Sequence, residues 1–137
     1  MSSRLEIPDP KEFSHKREDR IRIRDIDFQR HVNNTVFAEF FASARHDFLT
    51  ECVRGHLDED SKMVVADTRI NFVNEMLYGA PVETFTRIKS VGRTSIQLEQ
   101  VTCQNGRVAS VAMTTMVHRG PEGGRPWPEV VRALAAH

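Results

Sequence analysis

The chain has 137 residues, of which 19 are basic and 19 acidic, so its formal net charge is zero. This length suits one domain that buries roughly two-thirds of the surface of its unfolded chain. Balanced charge provides no net field toward nucleic acid or an anionic membrane, and no apolar run approaches the ~20 residues of a membrane span. The N-terminus lacks an apolar signal core, and Cys52 and Cys103 have neither metal nor disulfide spacing. We therefore expect a soluble, cytoplasmic protein.

The first half of the chain predicts an arm, a strand and a long helix. Residues 1–17 are polar and contain two prolines, which predicts a flexible N-terminal arm before a single domain over residues 18–137. From Arg20 to Arg24, Ile21 and Ile23 fall on one face and the arginines on the other, which predicts a half-buried strand. From Asn34 to near Gly55, apolar residues recur at steps of three and four, which predicts one amphipathic helix with an apolar face. That face contains Val36, Phe37, Phe40, Phe41, Ala44, Phe48, Leu49 and Cys52.

The second half predicts a sheet. Alternating or β-rich runs predict four strands, and Asn105-Gly106 predicts a two-residue hairpin turn because this pair accepts positive φ at both positions. A short terminal helix follows a proline start and is predicted over Glu129 to Ala136. Consecutive strands without crossover helices favour an antiparallel α+β domain. The predicted strands are Met63–Val73, Val82–Val91, Thr94–Cys103 and Arg107–His118.

The segment between the first strand and the long helix, Asp25 to Asn34, concentrates acidic, imidazole and amide side chains. A helix N-terminus presents unpaired N–H groups and a partial positive charge, so it can stabilise a developing oxyanion beside a nucleophile or base. The segment is therefore the candidate reaction site.

The same segment carries a family resemblance. The pattern Arg24-Asp25-x-Asp27-x-x-x-His31-Val32-Asn33-Asn34, followed by Phe37-x-Glu39-Phe40-Phe41-x-x-Ala44-Arg45, resembles the 4-hydroxybenzoyl-CoA thioesterases and is similar to the acyl-ACP thioesterases. The resemblance implies the hotdog fold, in which an antiparallel sheet of about five strands wraps around one long central helix.

The resemblance assigns catalytic roles to three positions. Asp27 matches the catalytic carboxylate, which either attacks the thioester carbonyl or activates a water molecule. The backbone N–H of Asn34 is the implied oxyanion donor. His31 is either a catalytic partner that orients or protonates, or a side chain that hydrogen-bonds the start of the helix.

Neighbouring polar residues have open alternatives. Asp25 and Asp27 could face one side of a strand end and so raise one pKa, or Asp25 could hydrogen-bond the following turn. A metal site formed by the two aspartates with His31 is a third alternative, although the family needs no metal. Asn33 is either an active-site amide or the N-cap of the helix, and we favour the cap.

Substrate contacts are predicted at two places. Phe37 and Phe40 could border an acyl tunnel beside the helix. The turn of Arg93, Thr94 and Ser95 matches one that contacts nucleotide phosphates in the aromatic-CoA enzymes. Departures also occur, since Gln29 replaces an asparagine of the acyl-ACP enzymes, and Ala42 and Ser43 replace acidic residues of many relatives.

The resemblance implies an acyl-CoA thioesterase that needs no cofactor, because coenzyme A is part of the substrate. It further implies a homodimer, joined sheet edge to sheet edge with active sites at the subunit boundary, or a homotetramer. We expect neither nucleic acid nor membrane as a partner. The alternatives are a hydratase or dehydratase of acyl thioesters, and a non-catalytic acyl-CoA binding protein.

Overall fold

The structure, a computed structural model, describes residues 4–135. Its antiparallel sheet has the strand order β1-β3-β4-β5-β2, with β6 paired to the end of β5. The strands are β1 (His15–Asp19), β2 (Lys62–Phe72), β3 (Val82–Val91), β4 (Ser95–Gln104), β5 (Arg107–Gly120) and β6 (Gly123–Gly124). The helices are α1 (Asn34–Cys52) and α2 (Glu129–Leu134).

The long helix α1 packs its apolar face against the sheet. Phe37, Phe41 and Ala44 are 2%, 1% and 0% exposed, as the periodicity of this segment predicts. Each fully buried phenylalanine stabilises the fold by about 1.5–3 kcal/mol. A sheet wrapped around one long helix confirms the predicted α+β hotdog fold.

Turn chemistry sets the register of the central strands. Asn105 and Gly106 have φ of 55° and 74°, the positive values that the predicted two-residue hairpin requires. The turn joins β4 to β5, with Gln104 opposite Arg107. Local sequence therefore determines the pairing of the strands that cover α1.

The strand predicted over Arg20 to Arg24 is wrong. Strand β1 lies earlier, at His15–Asp19, inside the segment predicted to be an arm, while Ile23 is 71% exposed in a 3₁₀ turn. Strand β1 has no apolar residue to indicate burial, and its position is set by backbone pairing with β3 and by ion pairs such as Lys16 to Glu83 at 2.8 Å.

Both helices end slightly earlier than predicted. Helix α1 ends at Cys52, and a separate 3₁₀ turn occupies Arg54–His56. Helix α2 ends at Leu134, and Ala136, which was included in the predicted terminal helix, lies outside the described residues. Within residues 4–135, no helix combines the length and apolar character needed to cross a bilayer.

Strand β2 forms one outer edge of the sheet. It pairs with β5 on one side only, and Val64, Val65 and Phe72 on it are 44%, 44% and 42% exposed. A long edge strand that exposes apolar side chains is normally protected by another chain or element.

Candidate active site

A tight loop places Asp27 directly before α1. The N–H of Asp27 donates to the carbonyl of His31 at 2.9 Å, and the N–H of Arg30 donates to the carbonyl of Asp27 at 3.0 Å. Arg30 adopts a positive φ of 66°, and a bridge between Ile26 and Val32 closes the loop. The loop is therefore held by its own backbone hydrogen bonds and by the packing of Ile26 and Val32 against the core.

The Asp27 carboxylate also stabilises this loop. Its Oδ1 accepts the N–H groups of Gln29 at 2.9 Å and His31 at 3.3 Å. Oδ2 has no hydrogen-bond partner among residues 4–135. One oxygen thus fixes the side chain, and the other remains available to substrate or water.

A surface cleft of about 360 Å³ contains the predicted catalytic residues. Asp27, His31 and Asn34 all line it, as do Asn33 and Phe37. The residues of the sequence motif therefore line one cavity. Phe72, at the end of β2, adds an apolar wall, and its ring meets that of Phe37 edge-on with centroids 5.2 Å apart.

The start of α1 provides hydrogen-bond donors to this cleft. Asn33 is the N-cap, as favoured from its position, and its Oδ1 accepts the N–H of Thr35 at 3.0 Å. The N–H of Asn34, the first helical residue, has no acceptor within the described part of the chain. This N–H is suited to bind a carbonyl oxygen that gains negative charge.

Asp25 has a structural role. Its side chain is 2% exposed and accepts from the backbone N–H and the guanidinium of Arg22 at 2.8 and 2.9 Å. Burial alone would raise the pKa of Asp25, but the hydrogen bonds and charge of Arg22 hold it below the ordinary value. Asp25 therefore caps the preceding turn, not the following one as anticipated, and it remains a carboxylate that already has its counter-ion.

One further acidic residue lines the cleft, and it was not predicted. Glu75 follows β2, lines the cleft, and its Oε2 lies 2.9 Å from Nε2 of His31. The polar pair Asn74-Glu75 directly after a strand was the available signal, but its proximity to His31 depends on how β2 packs beside the loop. The cleft therefore contains two carboxylates, although Ala42 and Ser43 stand on the helix where many relatives have acidic residues.

Four predicted substrate contacts lie away from this cleft in the single chain. Phe40 is 6% exposed and packs in the core. The turn of Arg93, Thr94 and Ser95 follows Val91, which packs with the apolar cluster at the C-terminal end of α1. Since the 19 residues of α1 span roughly 28 Å, this turn lies at the opposite end of the subunit from Asp27.

The described residues contain no group of three or more His, Cys, Asp or Glu side chains that could hold a metal ion. Asp25 is paired with Arg22, and His31 with Glu75. Asp27 is therefore the acidic residue of the cleft whose carboxylate has only backbone partners among residues 4–135.

Comparison with known proteins identifies the family to which this chain belongs. A model of the thioesterase-like superfamily matches residues 21–134. No curated protein matches the chain at a significant level.

Solved structures give a consistent result. A predicted thioesterase from Bacillus stearothermophilus is 27% identical, with a TM-score of 0.75 over 90% of this chain and 95% of its own. A Thermus thermophilus thioesterase, solved with coenzyme A and zinc, is also 27% identical, with a TM-score of 0.78 over 91% and 96%. A gentisyl-coenzyme A thioesterase shares the fold at 22% identity, with a TM-score of 0.73 over 88% and 98%. The match over most of the chain, with a helix N-terminus and a carboxylate in one cleft, shows that this protein belongs to the thioesterase-like superfamily.

Proposed function

We propose that the protein is an acyl-CoA thioesterase that releases a carboxylic acid and free coenzyme A. The observation that carries this proposal is the shared cleft of Asp27, which has one carboxylate oxygen unpartnered, and Asn34, whose N–H has no acceptor within residues 4–135. The Thermus thermophilus relative, which was solved with coenzyme A, supports coenzyme A as the thiol of the substrate.

The proposed reaction begins at the thioester carbonyl. Oδ2 of Asp27 either attacks the carbonyl carbon or removes a proton from a water molecule that attacks it. The carbonyl oxygen gains negative charge and accepts the N–H of Asn34, where the helix dipole favours an anion. The carbon–sulfur bond then breaks, and His31, which lines the same cleft, protonates the departing sulfur. If Asp27 has attacked directly, the acyl group remains on its carboxylate as an anhydride, and a water molecule hydrolyses this anhydride to release the carboxylic acid and regenerate Asp27.

The cleft also suits the acyl group. Phe37 and Phe72 form an apolar wall of the cleft through their edge contact. An apolar acyl chain or ring gains free energy by covering such surface.

We further propose a homodimer joined through β2. The exposed apolar side chains of this edge strand would be covered, and its unpaired backbone groups satisfied, by the same strand of a second copy. A tetramer of two such dimers, and the cytoplasmic location expected from the sequence, remain predictions.

The test is release of free thiol. The purified protein is mixed with short, medium, long-chain and aromatic acyl-CoAs, and thiol is followed with a colorimetric reagent. We expect turnover that depends on Asp27. Absence of thiol with every substrate, together with measurable acyl-CoA binding, would favour a non-catalytic binding protein instead.

A further inference from the structure

A second cleft lies on the other half of α1. Its volume is about 440 Å³, and it is bounded by the helix, by Met63 at the start of β2 and by Met116. Its charged or titratable lining residues are Arg45, His46 and Arg54, and no carboxylate lines it among the described residues. The second cleft is therefore basic, whereas the Asp27 cleft contains two carboxylates.

Arg45 is the unusual residue of this second cleft. Its side chain is half-buried, yet it forms no hydrogen bond or ion pair within residues 4–135. Burial lowers the pKa of its guanidinium below the ordinary value. Arg54, by contrast, donates to the carbonyl of Ser61 at 2.7 Å.

An unpaired, partly desolvated guanidinium indicates a missing anion. Buried charges in proteins are normally paired because desolvation without a partner costs free energy. A guanidinium binds carboxylates particularly well, through two parallel N–H donors. Arg45 is thus expected to meet a carboxylate that its own chain does not supply.

The topology shows where such a carboxylate would come from. The Asp27 cleft includes Phe72, at the last residue of β2, and the second cleft includes Met63, near its first. When an edge strand pairs antiparallel with its own copy, the end of one strand lies beside the start of the other. In the proposed dimer, each acidic cleft therefore faces the basic cleft of the other subunit.

We propose that Arg45 of each subunit completes the active site of the other by pairing with its Glu75 carboxylate. This inference rests on the proposed function and its dimer. Glu75 contacts His31 through Oε2, while Oε1 has no partner among the described residues and can accept a guanidinium. Arg45 is then a positioning residue that holds Glu75, and through it His31, beside Asp27.

The experiment is complementation between two defective subunits. Asp27→Asn and Arg45→Ala chains are co-expressed with different affinity tags, and dimers that carry both tags are purified. If Arg45 acts across the interface, one site of each heterodimer combines a native Asp27 with the native Arg45 of the other subunit. The other site then has neither native residue. We expect each single-variant homodimer to lose activity, Arg45→Ala by roughly tenfold or more because the partner carboxylate is left unpaired.

The heterodimer should recover about half of the wild-type rate per dimer, since one of its two sites is intact. Arg20→Ala, which removes an exposed arginine outside both clefts, should keep wild-type activity. A heterodimer as inactive as its parents would place Arg45 in its own subunit's site and overturn the proposal. An Arg45→Ala homodimer with wild-type activity would overturn it as well.

A second measurement separates this inference from the proposed function. If the wild-type protein releases no thiol from any acyl-CoA, the function fails, but the interface remains testable by sedimentation. Arg45→Glu should then dissociate the dimer more readily than wild type, and adding Glu75→Arg should restore it. A wild-type monomer at micromolar concentration, or a dimer unaffected by Arg45→Glu, would refute the pairing.

Discussion

The replacement Asp27→Asn separates the charge of this side chain from its structural contacts. Oδ1 of Asp27 accepts two backbone N–H groups, from Gln29 and His31. An asparagine keeps an oxygen that can accept both, so the loop before α1 should retain its geometry. What the variant loses is the negative charge needed for attack or for proton removal.

The expected loss follows from that chemistry. General-base catalysis contributes about 10²–10⁴-fold in rate, which corresponds to about 2.7–5.4 kcal/mol of transition-state stabilisation. We expect kcat for thiol release to fall by that factor in Asp27→Asn, while thermal unfolding stays close to wild type. Glu18→Gln, which neutralises an exposed carboxylate on β1, is the matched control and should leave kcat unchanged.

Asp27→Ala tests the structural part of the same reasoning. It removes the acceptor of both N–H groups, and each lost hydrogen bond costs about 0.5–1.5 kcal/mol, toward the lower end because the loop is solvent-accessible. This variant should therefore be both inactive and less stable than Asp27→Asn. If Asp27→Asn keeps more than a tenth of the wild-type kcat, Asp27 is neither nucleophile nor base.

Three further predictions concern stability and thiol reactivity. Asn33→Ala should lower the free energy of unfolding by about 1 kcal/mol in urea titrations, because the helix loses its N-cap, and Asn33→Ser should restore most of it. Asp25→Asn should destabilise the protein at pH 7 by about 1–3 kcal/mol. Because the pKa of Asp25 is lower in the folded than in the unfolded protein, its carboxylate stabilises the fold above the ordinary pKa, and this stabilisation is lost as pH falls through the folded pKa. The difference in free energy of unfolding between wild type and Asp25→Asn should therefore shrink in acid. Burial raises the pKa of Cys103 to about 11, so a thiol reagent at pH 8 should modify Cys103 only after unfolding. Cys52, which is half-buried, should react sooner. Rapid labelling of Cys103 in the native protein, detected by mass spectrometry, would contradict this prediction.

The sequence predicted most of the fold because its signals are local. Helical periodicity placed α1 from Asn34, and the hairpin pair Asn105-Gly106 placed the turn between β4 and β5. Both signals depend on residues within a few positions of one another. Strand β1 was misplaced because its charged residues show no apolar alternation, and its location is set by pairing with β3.

The residues of the candidate site likewise form two groups, one that local sequence predicts and one that only folding brings together. The motif from Asp27 to Asn34 is a single loop and helix start, so its residues share a cleft as a consequence of chain continuity. Glu75 reaches His31 only because β2 packs beside that loop. Arg45 lacks a partner because, within residues 4–135, no carboxylate lines its cleft. Sequence alone determined the chemistry of the motif, since neighbouring residues stay neighbours in any fold. Tertiary structure decided which distant charges meet, because those distances depend on the packing of the whole sheet against the helix.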